Sequence, residues 1–520
     1  MSKPFKVEEV SDSAAINLAL DTTKIGKQAL VFVNTKKSAE KTAEDISKKI
    51  KANDEKLNRI SEEALSSLSR PTQQCERLAM CLRKGIAFHH AGLTSGQKSI
   101  IEENFRNGSI KVICCTPTLA YGIDMPAYRA IIKDLRRYTT HGLSWIPVLD
   151  YMQMSGRAGR PNFENEGQAI VIALTDSEQE KIVEKYLNGT PEDIYSKLAV
   201  EPVLRTYVLS LVAANFATTR SKLFGFFDKT FYAHQFKDLR KLHSTISRVI
   251  EQLDEWEFIN KSGSDFQSAG EIDDESYKAT LLGKRVAELY IDPLTANFMI
   301  TCMRNASDKK LSAFSFLQMT CRTLEMRPLL KVGIREYDKI QEYLVQSSQF
   351  LLENEPSMYD PEYEDFLNSI KTGTMILDWI EESDEETLLE QYNIRPGEIK
   401  AKLDIADWLL YAAEEISKIL HYQYLIREII KLRLRIRYGV KEELLTLVRL
   451  ESIGRVRARN LFRNKLRDLG DLRNADLATL TQILGEKTAL GVKKQLGQEV
   501  KEVPENKRKG QISLKDYDGQ

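Results

Sequence analysis

The chain has 520 residues, and its 75 lysines and arginines are balanced by 75 aspartates and glutamates. This length is too great for one hydrophobic core and predicts roughly three or four domains. The zero net charge excludes a uniformly basic or acidic protein, and no apolar run approaches the ~20 residues of a membrane-spanning helix. The N-terminus lacks the apolar core of a signal peptide, so we expect a cytoplasmic protein.

Charge is distributed unevenly along the chain. Residues 431–467 contain twelve basic and three acidic residues, whereas residues 353–391 contain thirteen acidic residues and one lysine. This asymmetry indicates one region that faces a polyanion and another that is kept away from it.

The first 200 residues alternate short apolar runs with amphipathic segments. We predict strands at 29–33, 86–90, 111–115, 129–132 and 168–173. Ser38 and Thr94 are the predicted N-caps of the helices that follow the first two strands. Alternating strands and helices predict a parallel α/β sheet, and from about residue 200 the chain is predicted to be mostly α-helical.

Polar residues follow the predicted strands at the ends where ligands bind in parallel sheets. They lie at 34–35, 89–93, 116–127 and 153–161. In the last stretch Arg157 and Arg160 are three residues apart, so they share one face if the stretch is a helical turn. Two guanidinium groups on one face suit a triphosphate; the alternative is a solvated basic turn.

These four stretches resemble, in order, the motifs of the second RecA-like motor domain of superfamily-two helicases. The matching sequences are Val31-Phe-Val-Asn-Thr35, His89-His-Ala-Gly-Leu93, Thr116-Pro-Thr-Leu-Ala-Tyr-Gly-Ile-Asp-Met-Pro-Ala127 and Gln153-Met-Ser-Gly-Arg-Ala-Gly-Arg-Pro161. Within the superfamily the chain is most similar to the archaeal Ski-like DNA repair helicases of the Hjm type, over nearly its whole length. The resemblance implies five regions: a second RecA-like domain at 1–200, a winged helix at 201–290, a helical ratchet domain at 291–437, a helix-hairpin-helix-like domain at 438–497 and a tail at 498–520.

The resemblance also implies a nucleotide site, because ATP lies with Mg²⁺ between two RecA-like domains in this family. Arg157 and Arg160 are implied to reach the γ-phosphate, and Gln153 to orient the attacking water or to sense the γ-phosphate. Gly122 and Asp124 are implied to line the nucleotide.

A second set of residues is implied to hold the phosphates of one DNA strand. Its members follow the predicted strands and are Asn34, Thr35, His90, Gly92 and Thr116.

Residues 136–148 are predicted to form a hairpin with its tip at His141-Gly142. Tyr138 and Trp145 flank the tip, and an aromatic hairpin beside a nucleic-acid track can stack on a base pair and split it. The strand-separating hairpin of the family lies at this place. The alternative is an ordinary β-ribbon that packs on its own domain.

The stretch after Thr219 resembles the start of a winged helix, with a strand predicted at 277–282. Its aromatic residues are predicted to be core rather than a stacking surface: Phe224, Phe226, Phe227, Phe231, Tyr232 and Phe236. Further on, Trp408 is predicted to stack on a base of the translocating strand, as the tryptophan of the family's ratchet helix does. The alternative for Trp408 is packing in a core.

A basic helix is predicted at 432–450, followed by a stretch that resembles a helix-hairpin-helix turn. Such a turn binds phosphate without reading sequence, and Arg455, Arg457 and Arg459 are predicted to contribute to it. The family usually has Gly-x-Gly here, whereas Ser452 stands in place of the first glycine. The alternative is a solvated basic face.

The tail contains Gln511, Leu514 and Tyr517 at the spacing of the motif that binds the sliding clamp. The second aromatic residue usual in that motif is missing. The alternative is a solvating tail with a chance spacing.

A motor of this class needs a Gly-x-x-x-x-Gly-Lys-[Ser/Thr] loop and an acidic box that holds Mg²⁺, and neither occurs in the sequence. We therefore expect the first RecA-like domain to be supplied elsewhere, in a longer or a second polypeptide, and to hold most of the ATP and Mg²⁺.

The favoured interpretation is the C-terminal part of an ATP-dependent 3′-to-5′ DNA helicase that unwinds forked or branched DNA in repair and recombination. By itself this chain is expected to bind single-stranded DNA without hydrolysing ATP. The alternatives are a non-catalytic module that binds single-stranded nucleic acid or acts as an adaptor, and part of an RNA helicase.

Overall fold

The computed structural model describes residues 5–51, 54–67, 71–121, 125–139, 142–159, 166–198, 200–237, 239–262 and 275–498. They form two compact units. The sheet unit comprises Met1–Ser196 and Glu385–Lys402, and the helical unit comprises Lys197–Asp384 and Leu403–Gln520. Within the described ranges, no helix is long and apolar enough to cross a membrane.

The strands of the described residues are β1 Ala29–Phe32, β2 Ile86–His89, β3 Val112–Cys115, β4 Arg129–Ile132, β5 Arg136–Thr139, β6 Gly142–Trp145, β7 Gln168–Val171, β8 Ile259–Ser262 and β9 Ser276–Ala279. The α-helices are α1 Ala14–Lys24, α2 Lys36–Ser47, α3 Glu55–Ser66, α4 Gln73–Leu82, α5 Ser95–Arg106, α6 Val148–Ser155, α7 Asp176–Ile182, α8 Glu201–Ala213, α9 Arg220–Phe227, α10 Phe231–Gln235, α11 Arg240–Glu255, α12 Leu281–Glu288, α13 Pro293–Asn305, α14 Ala313–Cys321, α15 Tyr337–Ser347, α16 Tyr363–Ile380, α17 Glu385–Tyr392, α18 Pro396–Ile419, α19 Gln423–Tyr438, α20 Arg455–Arg463, α21 Leu469–Asn474, α22 Leu477–Leu484 and α23 Glu486–Gln495.

The sheet unit contains a five-stranded parallel sheet in the order β2-β3-β1-β4-β7, which confirms the predicted α/β sheet. β1 to β4 are buried along their full lengths, as expected for strands covered on both faces. Phe32 aligns with Cys115 and Ile132, and His89 also aligns with Cys115. These strands end at one level, so the loops that follow them emerge from the same edge.

The two predicted N-caps have different outcomes. Thr94 is confirmed, because its hydroxyl accepts a hydrogen bond from the Gln97 amide in a capping box that begins α5. The prediction of Ser38 as an N-cap is wrong. α2 begins at Lys36, and the Thr35 hydroxyl accepts a hydrogen bond from the Ser38 amide at 3.1 Å. The backbone of Thr35 is extended, as an N-cap requires.

In the helical unit, α8, α11 and α12 pack together, and β8 pairs with β9 in antiparallel register. The strand predicted at 277–282 ends earlier, at Ala279. The reason is local, because the Thr280 hydroxyl accepts a hydrogen bond from the Gly283 amide at 3.0 Å and begins α12.

The aromatic cluster predicted as core is only partly buried. Phe227 and Tyr232 are buried, but Phe226, Phe231 and Phe236 are exposed. The short helices α9 and α10 present their aromatic residues in several directions, so a cluster in sequence does not form one cluster in space.

The basic helix predicted to run to residue 450 is wrong at its C-terminal end. α19 ends at Tyr438, and Gly439 follows in the left-handed conformation with φ of +64°. A Cβ at position 439 would lie only 2.7 Å from an atom of the Trp379 ring. The close approach of the indole therefore requires glycine here, and a left-handed glycine commonly ends a helix.

Candidate nucleotide and nucleic-acid interface

Four of the residues implied to hold DNA phosphates lie where the strands end. Asn34 and Thr35 follow β1, His90 follows β2 and Thr116 follows β3. Asn34 is half-buried and Thr35 exposed, whereas Thr116 is buried. The Thr116 and Thr118 hydroxyls are 2.9 Å apart.

His90 is completely buried, and each of its ring nitrogens lies close to a polar group. Its Nδ1 accepts a hydrogen bond from the Gly92 amide at 3.1 Å, and its Nε2 lies 3.2 Å from Oε1 of Glu40. Nδ1 as acceptor leaves the proton on Nε2, facing the carboxylate. Burial lowers the pKa of His90, and Glu40 only partly offsets this, so the ring is neutral at pH 7.

Glu40 is the centre of a buried ionic cluster within the sheet unit. Arg395 Nε donates to its Oε1 at 3.0 Å, and Arg77 Nη1 donates to its Oε2 at 2.9 Å. Burial alone would raise the pKa of Glu40, but the nearby His90 ring, the hydrogen bond from Arg395 and the charges of both arginines lower it to about 2. Glu40 is therefore a buried carboxylate at every physiological pH.

The loop after β2 also packs backbone to backbone against the start of α18. The Gly397 amide donates to the Gly92 carbonyl at 3.2 Å. A Cβ at Gly92 would lie 2.3 Å from Cδ of Arg395, and a Cβ at Gly397 would lie 2.5 Å from the Leu93 carbonyl oxygen. His90 and Gly92 are thus occupied by the chain's own residues, and their contact with DNA stays a prediction.

Gln153 and Arg157 belong to the fourth motif, on α6 and just after it. Gln153 is exposed on α6, which ends at Ser155, and Arg157 lies in the turn that follows, where its amide donates to the Met154 carbonyl at 3.2 Å. Because Arg160 lies outside the described residues, the shared face of Arg157 and Arg160 stays a prediction. Arg157 Nε donates to the Ala120 carbonyl at 3.1 Å. Its own carbonyl accepts from the Ala127 amide at 2.9 Å, which joins the third and fourth motifs.

The segment that follows Arg157 pairs with the segment before β4 through a bridge between Ala158 and Ala127. The Gly159 amide donates to the Ala127 carbonyl at 2.7 Å, and Gly159 has φ of +97°. A Cβ at Gly167 would lie 2.2 Å from the Gly159 nitrogen, so the two backbones touch. Three residues implied to contact the nucleotide lie outside the described residues: Gly122, Asp124 and Arg160.

The antiparallel pairing of β5 with β6 confirms the predicted hairpin, but Gly142, predicted at its tip, belongs to β6 and aligns with Thr139. Trp145 is half-buried at the base of the hairpin, 4.3 Å below the Arg136 guanidinium and 6.0 Å from the Tyr186 ring. Leu143, nearer the tip, is exposed. The Tyr138 side chain and His141 lie outside the described residues, and a wedge role for Tyr138 and Trp145 stays a prediction.

Trp408 lies on α18 in the part that belongs to the helical unit. The indole is half-buried, and its Nε1 donates to the Leu289 carbonyl at 3.1 Å. The hydrogen bond fixes the plane of the ring. Stacking on a DNA base stays a prediction.

The arginines of α20 differ in their surroundings. Arg459 donates to the Glu382 carboxylate from two nitrogens, at 2.6 and 2.7 Å, whereas Arg457 is exposed. The residue before this helix that replaces the family's glycine, Ser452, has φ of +66°. Serine thus adopts here a conformation that glycine accepts without strain. Gln511, Leu514 and Tyr517 lie outside the described residues.

Sequence reasoning missed Glu40, Arg77 and Arg395. A signal for Glu40 existed, because it stands among the apolar residues of α2 that face the sheet, next to Ala39 and three residues before Ala43. A carboxylate on an apolar face requires a partner. The partner at 395 is 355 residues away, and no local pattern identifies it.

Comparison with known families assigns three parts of the chain. Residues 66–162 match the helicase conserved C-terminal domain, residues 169–260 match a helix-turn-helix domain, and residues 314–439 match domain 4 of archaeal helicases.

Relatives extend along nearly the whole chain. The ATP-dependent DNA helicase Hel308 of Methanococcus vannielii is 38% identical over 498 residues, which cover 88% of this chain and 64% of the relative. The helicases of the same name from Pyrococcus horikoshii and Methanocella arvoryzae are 38% and 37% identical and cover 95% and 97% of this chain. The matched regions span 67% and 68% of those two proteins, so the chain spans about two thirds of the length of its curated relatives. At this identity and coverage, the chain belongs to the Hel308 family of ATP-dependent DNA helicases.

Proposed function

We propose that this chain is the C-terminal part of an ATP-dependent 3′-to-5′ DNA helicase that unwinds forked or branched DNA during fork repair and recombination. A first motor domain with the phosphate-binding loop is supplied elsewhere. The observation that carries the proposal is the hydrogen bonding between the third and fourth motifs, which fixes Arg157 beside Ala120 and Ala127.

In this proposal the sheet unit completes an ATP site. Arg157 and Arg160 neutralise the charge that develops on the γ-phosphate, which favours phosphoryl transfer. Gln153 orients the attacking water or senses the γ-phosphate, and Gly122 and Asp124 line the nucleotide. Mg²⁺ is held mainly by the first motor domain.

DNA contacts are proposed for residues along the remaining path of the strand. The exposed or half-buried loop residues Asn34 and Thr35 hold phosphates of one strand together with Thr116. The β5–β6 hairpin separates the duplex, and Trp408 stacks on a base and limits back-slip. Residues 201–290 act as a winged-helix hinge, 291–437 as the ratchet domain and 438–497 as the helix-hairpin-helix-like domain.

The decisive experiment supplies a first motor domain in trans. A purified first motor domain from a Hel308 relative is added to the 520-residue chain, and unwinding of a labelled fork is measured with ATP. We expect unwinding that requires both polypeptides and that Arg160→Gln abolishes. Arg106→Gln is the matched control, because Arg106 lies on the exposed face of α5 and, among the described residues, pairs with Glu102 alone.

Two outcomes would contradict the proposal. Robust ATP hydrolysis by this chain alone would remove the need for a second motor domain. Binding of single-stranded DNA without unwinding in the mixture would favour a non-catalytic binding module instead. A fork with RNA in the tracked strand distinguishes DNA from RNA as substrate.

A further inference from the structure

Three arginines occupy every second position at the start of α20, and the geometry of the helix places them on two different faces. Successive residues of an α-helix are about 100° apart, so Arg455 and Arg459 lie within about 40° of each other. Arg457 lies about 200° from Arg455, on the other side of the helix. A motif that reads as one basic patch in sequence thus has two faces.

On the first face, all three nitrogens of the Arg459 guanidinium donate hydrogen bonds. Its Nε and Nη2 donate to the two Glu382 oxygens at 2.7 and 2.6 Å, and its Nη1 donates to Glu443 at 2.6 Å. Glu382 also accepts a hydrogen bond from the Lys441 amide at 3.0 Å. A bidentate pair of this kind is the strongest geometry available to arginine.

The pKa of Glu382 and the burial of both side chains also indicate that Glu382 holds Arg459 in place. Burial alone would raise the pKa of Glu382, but hydrogen bonds from Arg459 and from the Lys441 amide lower it overall. The Arg459 side chain is only 19% exposed and that of Glu382 only 13%. Both groups are charged, and phosphate would have to compete with two carboxylates for the guanidinium.

Arg455 lies on the same face and against the same region. It donates to the Ser383 carbonyl, and its guanidinium lies 5.1 Å from the Trp379 ring. Trp379 Nε1 in turn donates to the Ile436 carbonyl at 2.8 Å. The face of α20 that carries Arg455 and Arg459 is therefore packed on residues 379–383, at the C-terminal end of α16 and just after it.

Arg457 has different surroundings. It is exposed, and its one described hydrogen bond runs from Nη1 to the carbonyl of nearby Ser452 at 2.7 Å. Its neighbour Val456 is also exposed, whereas Ala458 is buried. A guanidinium in solvent can exchange a local carbonyl for a phosphate at little cost.

We propose that Arg459 is a positioning residue that fastens α20 to Glu382, and that Arg457 is the arginine of this motif that contacts nucleic-acid phosphate. The inference rests on the proposed DNA-binding function. It predicts that the two arginines affect different measurable quantities.

The experiment measures the salt dependence of single-stranded DNA binding and the thermal midpoint of unfolding for the full 520-residue chain. Each phosphate contact contributes about 0.7 to the slope of log affinity against log salt for single strands. We expect Arg457→Gln to reduce this slope by about 0.7 and to leave the midpoint unchanged. Arg459→Gln is expected to lower the midpoint and to leave the slope unchanged.

Glu382→Gln is the matched control, because it loosens the same pair without removing a positive charge. It is expected to lower the midpoint like Arg459→Gln, and the double variant is expected to be no less stable than either single variant alone. Arg459→Lys is expected to recover only part of the midpoint, since an ammonium cannot form the bidentate pair.

A loss of slope in Arg459→Gln equal to that in Arg457→Gln would overturn the assignment. So would an unchanged midpoint in Glu382→Gln, or additive effects in the double variant. If the wild-type chain binds no single-stranded DNA, the proposed function fails. The midpoints then still decide the role of Arg459, and the phosphate contact of Arg457 is refuted.

Discussion

The loop after β2 and helix α20 were both expected to face a nucleic-acid backbone. They differ in how deeply their polar side chains are buried. His90 is completely buried and is held by Glu40, which also binds Arg77 and Arg395. In α20 only one face is packed, and Arg457 remains exposed. The difference teaches that a side chain's partners, rather than its type, decide whether it is available to a ligand.

The largest expected effect tests the buried side of this comparison. Glu40→Ala removes the carboxylate shared by His90, Arg77 and Arg395 and is expected to cost about 3–5 kcal/mol, since it breaks a buried ionic cluster from one side. The measurement is urea denaturation followed by circular dichroism. Lys36→Ala is the control, expected to cost under about 1 kcal/mol, because its pair with Glu398 is about one third exposed.

The same site predicts a pH dependence with a definite sign. The pKa of Glu40 is lowered from 4.5 to about 2, so its contribution is complete above about pH 4.5 and is lost as the pH falls towards 2. The stability difference between wild type and Glu40→Gln should therefore be largest at neutral pH and shrink below pH 4.5. A difference that grew on acidification would refute the buried carboxylate.

The second effect tests how closely α18 approaches the loop. Gly397→Ala would place a Cβ 2.5 and 2.6 Å from two backbone carbonyl oxygens, so the backbone must move. We expect a loss of about 1–3 kcal/mol in stability, as for other overpacked sites. Gly491→Ala, in α23 with nothing within 4 Å of its Cβ, should instead be neutral or stabilising by up to about 1 kcal/mol. Equal effects would mean that the close contact is absent.

The third effect concerns a half-buried residue. Trp408→Ala is expected to weaken single-stranded DNA binding by about 1–3 kcal/mol, the usual contribution of base stacking. Trp408→Phe should retain much of the affinity, because it keeps an aromatic face and loses only the hydrogen bond to Leu289. Fluorescence anisotropy with a labelled oligonucleotide measures both. Unchanged affinity in Trp408→Ala would assign the indole to packing alone.

The smallest expected effect concerns a loop residue that is accessible to a ligand. Asn34→Ala is expected to weaken single-stranded DNA binding by about 0.5–1.5 kcal/mol, as for the loss of one hydrogen bond. Stability should change by no more than about 0.5 kcal/mol, because the side chain is half-buried in a loop. The same anisotropy and denaturation measurements apply. A stability loss as large as that of Glu40→Ala would erase the distinction between the two kinds of position.

Local features were predicted well where one short stretch contained all the information. The strands of the sheet are apolar runs, the Thr94 capping box lies within four residues, and the hairpin has its turn in sequence. The errors came from competition between neighbours. Thr35 rather than Ser38 caps α2 because the extended backbone lies at residue 35, and α19 ends at Gly439 because Trp379, sixty residues earlier, packs against it.

The sequence by itself determined the family, the alternation of strands and helices, and the motifs that follow the strands, because these depend on residues close together in the chain. Only the tertiary structure decided which polar side chains already have partners within the protein. Glu40 lies beside His90 and is bound by Arg395, and Arg459 is bound by Glu382. These partners are up to 355 residues apart, and an ionic pair of this kind forms where folding removes both charges from water together.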